Sequence, residues 1–88
     1  MWSSNERDPV FQIIRLMLDD RGRVLTRWPL HPLFALRDDA VAIAEFDASR
    51  LPGDYGYDEE RDCWWAIDSY GHEYRFIVEH VGPADAAA

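Results

Sequence analysis

The chain is poor in residues that supply covalent or metal chemistry. Cys63 is the single cysteine among 88 residues, so no internal disulfide can form, and a reducing cytoplasm is the expected location. No apolar run approaches the ~20 residues of a membrane span, and the first eight residues lack the pattern of a signal peptide. We therefore expect a cytoplasmic protein with no membrane association.

Lysine is absent as well. All nine basic residues are arginine, seventeen residues are acidic, and the net charge is −8. A field of this sign repels polyanions, so we predict no nucleic-acid partner. The hydrophobic fraction of 48% is enough for a packed core. We predict one domain over residues 9–82, between a disordered N-terminal segment (1–8) and a disordered tail (83–88).

The motifs typical of enzymes and cofactor sites are also missing. The sequence has no glycine-rich phosphate loop, no Ser-His-Asp order and no carboxylate pair at a catalytic spacing. Three residues of metal-binding type lack the spacing of metal ligands: Cys63, His72 and His80. Three acidic residues alternate as in a calcium loop, whose glycine and distal glutamate are missing: Asp58, Glu60 and Asp62. We predict a non-enzymatic protein with no cofactor and no metal.

Two β-hairpins are predicted from apolar runs that flank an Asp-x-x-Gly turn. The later hairpin runs from Cys63 to Val81 and places Trp64 opposite Phe76. In the earlier one, a strand from Val10 to Leu18 returns as a strand from Arg23 to Trp28. Pro29 has no N–H for the ladder and should end that second strand.

A helix follows, from about Arg37 to Arg50, with Asp38 as a candidate N-cap. Its apolar stripe is rich in alanine, which allows close packing on a sheet. Phe46 lies off the stripe and Asp47 lies on it, so neither fits. The elements predict a small α+β domain ordered strand–strand–helix–strand–strand, with an antiparallel sheet of about four strands and one helix on one face. Residues 55–57 are either a short strand or part of a loop.

One helix can cover only one face of this sheet. We predict that the other face carries apolar residues from both hairpins, among arginines: Trp65, Ile67, Ile77, Met17 and Leu25. Such a surface favours another protein partner or a homodimer, which would form through this face or through a strand edge, unless loops and tails of the same chain fold over it. An acidic regulator that binds a basic protein is the alternative function, and a small-ligand binder or enzyme is the third.

Arg15 and Arg27 fall opposite each other in the predicted register of the first hairpin. Like charges that face each other across a ladder destabilise it unless an anion lies between them. The two arginines are therefore a candidate contact for an anion or a carboxylate. The structural alternatives are pairing with acids such as Asp47, Glu73 or Glu79, or an error in the register.

Overall fold

Two hairpins and one helix dominate the architecture. The computed structural model describes residues 10–81, so the predicted disordered segments lie outside the described residues. The elements are β1 (Val10–Leu18), β2 (Val24–Phe34), α1 (Arg37–Ser49), β3 (Tyr55–Asp58), β4 (Cys63–Ile67) and β5 (Glu73–Val81). All strand pairs are antiparallel, and the sheet order is β2-β1-β5-β4-β3. The α+β class is confirmed, but the sheet has five strands because residues 55–58 pair with β4.

Both hairpins use the same turn chemistry. In each turn an aspartate side chain accepts hydrogen bonds from the backbone N–H groups two and four residues later, at 2.8–2.9 Å. These aspartates are Asp19 and Asp68. Gly22 and Gly71 close the turns with φ values of 81° and 85°, which only glycine adopts at no steric cost. The repeated Asp-x-x-Gly pattern therefore identified both turns correctly.

The register of the second hairpin is also confirmed. Trp64 pairs with Phe76, and Trp65 pairs with Arg75. Trp64 packs against the core formed with α1, together with Ala66. Because side chains alternate along a strand, Trp65 belongs to the opposite face of the sheet.

The register of the first hairpin differs from the prediction by a β-bulge. Leu18 pairs with Val24 and Met17 pairs with Thr26, so Leu25 is an extra residue in β2. An extra residue sends every later side chain of that strand to the other face. The predicted pairing of the two arginines is consequently wrong.

Strand β2 continues past Pro29 instead of ending there, and runs to Phe34. It is an edge strand, where proline can be accommodated because an N–H that faces solvent is not needed for the ladder. A second irregularity follows, and His31 has a φ of 67° there. Its ring Nε2 lies 2.7 Å from a carboxylate oxygen of Asp47. This contact explains the acidic residue on the helix stripe.

Helix α1 packs closely on the sheet through three alanines with no exposed surface, at positions 40, 44 and 48. They contact Ile13, Ala66 and Phe76 in the core. The predicted cap is wrong, because the N-cap position is Leu36 and no side chain caps it. Phe46 is 56% exposed on the outer side of the helix, as its place off the stripe indicated.

Candidate functional site

The sheet face opposite α1, here called the open face, has no second layer within residues 10–81. Its most deeply buried side chains are Ile14, Leu18 and Cys63, which are 3–7% exposed. Four further apolar residues of this face are only partly buried. They form the open strip, which crosses the three central strands β1, β5 and β4: Leu16, Ile77, Trp65 and Ile67.

Arg75 lies at the centre of the open face. Its guanidinium nitrogens lie 2.8 Å from carboxylate oxygens of both Asp58 and Glu73. One of these nitrogens also lies 3.7 Å from the sulfur of Cys63. The hydrogen bond from Arg75, helped by a backbone N–H, lowers the pKa of Asp58 to about 2. Burial acts to lower the pKa of Arg75, but its hydrogen bond to Asp58 leads a set of contacts that raise it overall.

A second ion pair crosses the open face nearer to the β2 edge. Arg27 donates to both carboxylate oxygens of Glu79, at 2.6 and 2.7 Å. Arg27 belongs to β2 and Glu79 to β5, so the pair spans β1. In the register Ile14 lies between them, and it is 3% exposed. Like the contacts of Arg75, this pair neutralises charge on the face and covers part of its apolar surface.

Arg75 separates two concave regions of the open face. The larger one has a volume of about 580 Å³ and lies toward β3. We call it the acid–aromatic basin, and its lining residues are Tyr57, Asp58, Glu59, Glu60, Trp65, Ile67, Glu73 and Arg75. The smaller one, of about 290 Å³, lies toward β1 and β2 and is mainly apolar. The two regions share Glu73 and Arg75 and therefore lie side by side on the face.

Gly56 allows the indole ring of Trp65 to pack flat against β3. A Cβ atom at Gly56 would lie 2.9 Å from the ring atom Cζ2 of Trp65, closer than van der Waals contact permits. The absence of a side chain at Gly56 therefore permits the ring to lie at the floor of the basin.

The structure brings together three of the five residues that were predicted to form an interface. Trp65, Ile67 and Ile77 share the open face. Met17 pairs with Tyr74, so it lies on the face covered by α1, and its assignment to the open face is wrong. Leu25 is the bulge residue and is 55% exposed at the β2 edge. Leu16 was missed as a site residue, whereas Arg75 lies beside Trp65 on this face, where arginines were expected.

The candidate anion site is not assembled. Arg15 pairs with Trp28 across the hairpin and lies on the face of α1, where its guanidinium carbon is 5.5 Å from the ring centre of Tyr74. Arg27 pairs with Leu16 on the open face and is bound by Glu79. Both structural alternatives are therefore found: Arg27 is paired with an acid, Glu79, and the predicted register of the hairpin was in error.

The acidic turn between β3 and β4 has a structural role. No group of three or more potential metal ligands occurs within residues 10–81. Asp58 accepts backbone N–H groups of the β3–β4 turn. Asp62 accepts the Tyr57 hydroxyl and also pairs with Arg37 at 2.6 Å. In the same part of the chain, no helix has the length and apolar character needed to cross a membrane.

Comparison with known proteins adds no relative. No family model, curated protein or solved structure matches the chain.

Proposed function

We propose that this protein is a non-enzymatic interaction module that pairs with a second copy of itself through the open face. The observation that carries the proposal is the open strip, in which four partly exposed apolar side chains cross three neighbouring strands and no layer from residues 10–81 covers them. Trp and Arg are the residues most enriched at the energetic centres of interfaces. Here Trp65 and Arg75 are directly paired at the middle of the face.

The size of the face predicts weak pairing. Five strands at ~4.8 Å spacing and about five residues at ~3.3 Å rise span roughly 400 Å² per copy. Two such faces bury roughly 800 Å², which is below the ~1,200 Å² at which stable interfaces begin. Self-association should therefore have a dissociation constant in the micromolar range or above.

Sedimentation velocity from about 5 to about 200 µM protein, a range suited to weak interfaces, tests this proposal. The wild-type chain should shift from monomer to dimer over this range, whereas Trp65→Glu should stay monomeric because it places a charge in the apolar contact. Phe46→Glu is the matched control, since it replaces an exposed aromatic residue on the outer side of α1. A wild-type monomer at the highest concentration, or dimerisation of Trp65→Glu, contradicts the proposal.

A second candidate function is the binding of a basic protein, as an acidic regulator does. It is favoured by the composition of the acid–aromatic basin, whose lining includes four carboxylates and one guanidinium. The net charge of −8 over the whole chain acts in the same direction.

A further inference from the structure

We propose that the acid–aromatic basin docks a basic segment of a partner protein, with an arginine side chain of that segment lying over the ring of Trp65. This inference rests on the proposed role of the open face as a protein-binding surface. The partner is a protein other than a second copy, and the aromatic surface and the charge of the basin together favour a basic segment.

The basin is a shallow, open concavity whose lining combines apolar and charged side chains. Its volume of about 580 Å³ falls within the range of roughly 300–1,000 Å³ found for ligand sites. Trp65 and Ile67 supply an apolar wall along which the methylene groups of a long basic side chain can pack. The indole face also attracts a guanidinium or ammonium group, more strongly than the ring of a tyrosine or phenylalanine does. An arginine satisfies both parts of this surface.

The charge of the lining selects a basic occupant over an acidic one. Asp58 and Glu73 are already bound by Arg75, which shows that carboxylates of this basin hold a guanidinium. Glu59 and Glu60 are exposed on the rim, and neither forms an ion pair within residues 10–81. The rim therefore offers two carboxylates to an incoming cation, while an anion would be repelled.

A second copy and a basic segment would compete, because both need the surface of Trp65. Their salt dependences should differ in sign. Two chains of charge −8 repel each other, so added salt should strengthen self-association, whereas it should weaken the attraction of a cationic segment. The two uses of the face can thus be separated in one set of solutions.

The test is a titration of ¹⁵N-labelled protein with a tetra-arginine peptide, followed by amide chemical shifts. A tetra-citrulline peptide of the same shape and no side-chain charge is the ligand control. The arginine peptide should perturb amides of β3, β4 and the β3–β4 turn. Its affinity should fall as salt is raised, and it should exceed the affinity of the citrulline peptide. Binding of both peptides alike, or perturbation centred on α1, overturns the inference.

Two double variants with the same change in charge locate the contact. Glu59→Gln with Glu60→Gln removes the rim carboxylates and should weaken the arginine peptide by about three- to tenfold, as expected for two exposed ion pairs. Asp39→Asn with Glu45→Gln removes two exposed acids of α1 and should change the affinity by less than about twofold. Equal losses in both variants show that only the overall field attracts the peptide, and refute docking in the basin.

Sedimentation of the same samples keeps the two proposals distinct. If the protein dimerises but does not bind the arginine peptide, the basin is refuted as a docking site and the proposal of self-association stands. A protein that stays monomeric but binds the peptide through the basin supports the inference, and it refutes only the proposal of self-association. Loss of peptide binding in Trp65→Leu, with rim carboxylates present, is also required.

Discussion

Trp64 and Trp65 provide the strictest test of the two-sided sheet, because they are identical neighbours on opposite faces. Trp64 packs against the buried core beneath α1, and its ring centre lies 5.3 Å from that of Tyr57. Trp65 lies on the open face over Gly56. Replacing each tryptophan by alanine therefore removes the same side chain from each face, so the losses in stability can be compared directly.

The expected losses in stability differ severalfold. Replacing a core aromatic residue by alanine costs about 3–5 kcal/mol, and we take about 3 kcal/mol for Trp64 because its ring is only partly buried. An average substitution costs about 1 kcal/mol, which we expect for Trp65→Ala on the open face. In a domain of this size, each kcal/mol lowers the melting temperature by about 4–8 °C. Trp64→Ala should therefore melt roughly 8–16 °C below Trp65→Ala.

The ring nitrogen of Trp64 allows a finer comparison. Its N–H is buried and has no hydrogen-bond acceptor within residues 10–81, and an unpaired buried donor costs about 1–3 kcal/mol. Trp64→Phe removes this donor and keeps most of the ring, so the lost packing and the relieved donor should offset each other. We expect its unfolding free energy to lie within about 1 kcal/mol of the wild type.

Urea unfolding followed by circular dichroism measures these free energies, at about 5 µM protein so that weak pairing contributes little. A loss below about 1 kcal/mol for Trp64→Ala, or equal losses for the two alanine variants, would refute the assignment of the faces. Sedimentation of the same variants should show the reverse ranking, with association impaired by Trp65→Ala and retained by Trp64→Ala.

Two further predictions concern the core and the ion pair at the centre of the open face. Ala44→Leu should lower the unfolding free energy by about 1–3 kcal/mol or more, because Ala44 has no exposed surface and a larger side chain would push α1 away from the sheet; urea unfolding with an unchanged midpoint would contradict this packing. The pKa of Asp58 is lowered to about 2 by Arg75, so its contribution to stability is present above the unfolded value near pH 4 and is lost as the pH falls toward 2. Stability measured between about pH 2 and pH 6 should fall less steeply in Asp58→Asn than in the wild type; parallel curves would show that Arg75 does not hold this carboxylate.

The parts of the fold that the sequence predicted are those with local causes. Each hairpin turn is specified by an aspartate that accepts nearby N–H groups and by a glycine with positive φ. The register of β4 and β5 follows from the turn between them, because no bulge intervenes. The helix was predicted to within one residue at its end, since alanine spacing and the following proline and glycine are local signals too.

The errors have non-local causes. Whether β2 tolerates Pro29 depends on its place at the edge of the sheet, and sheet order is set by which strands pair. The bulge at Leu25 is a single inserted residue with no distinctive pattern in Val24-Leu25-Thr26. That residue moved Arg27 to the open face and left Arg15 on the other, which removed the candidate anion site. Met17 was misplaced because the face covered by α1 was not known for the first hairpin.

The open face is more than a side of the sheet that lacks a helix, because the chain covers part of it with its own charged side chains. Arg75 lies near Cys63, and the pair of Arg27 with Glu79 crosses Ile14. Both apolar residues are only 3% exposed, as if a second layer were present. Trp65 lies on the next strand, β4, where it pairs with Arg75 on the same face, and it remains partly exposed. The chain thus covers Ile14 and Cys63 with its own ion pairs but leaves Trp65 partly exposed. This selective exposure favours a binding site over an incompletely covered core.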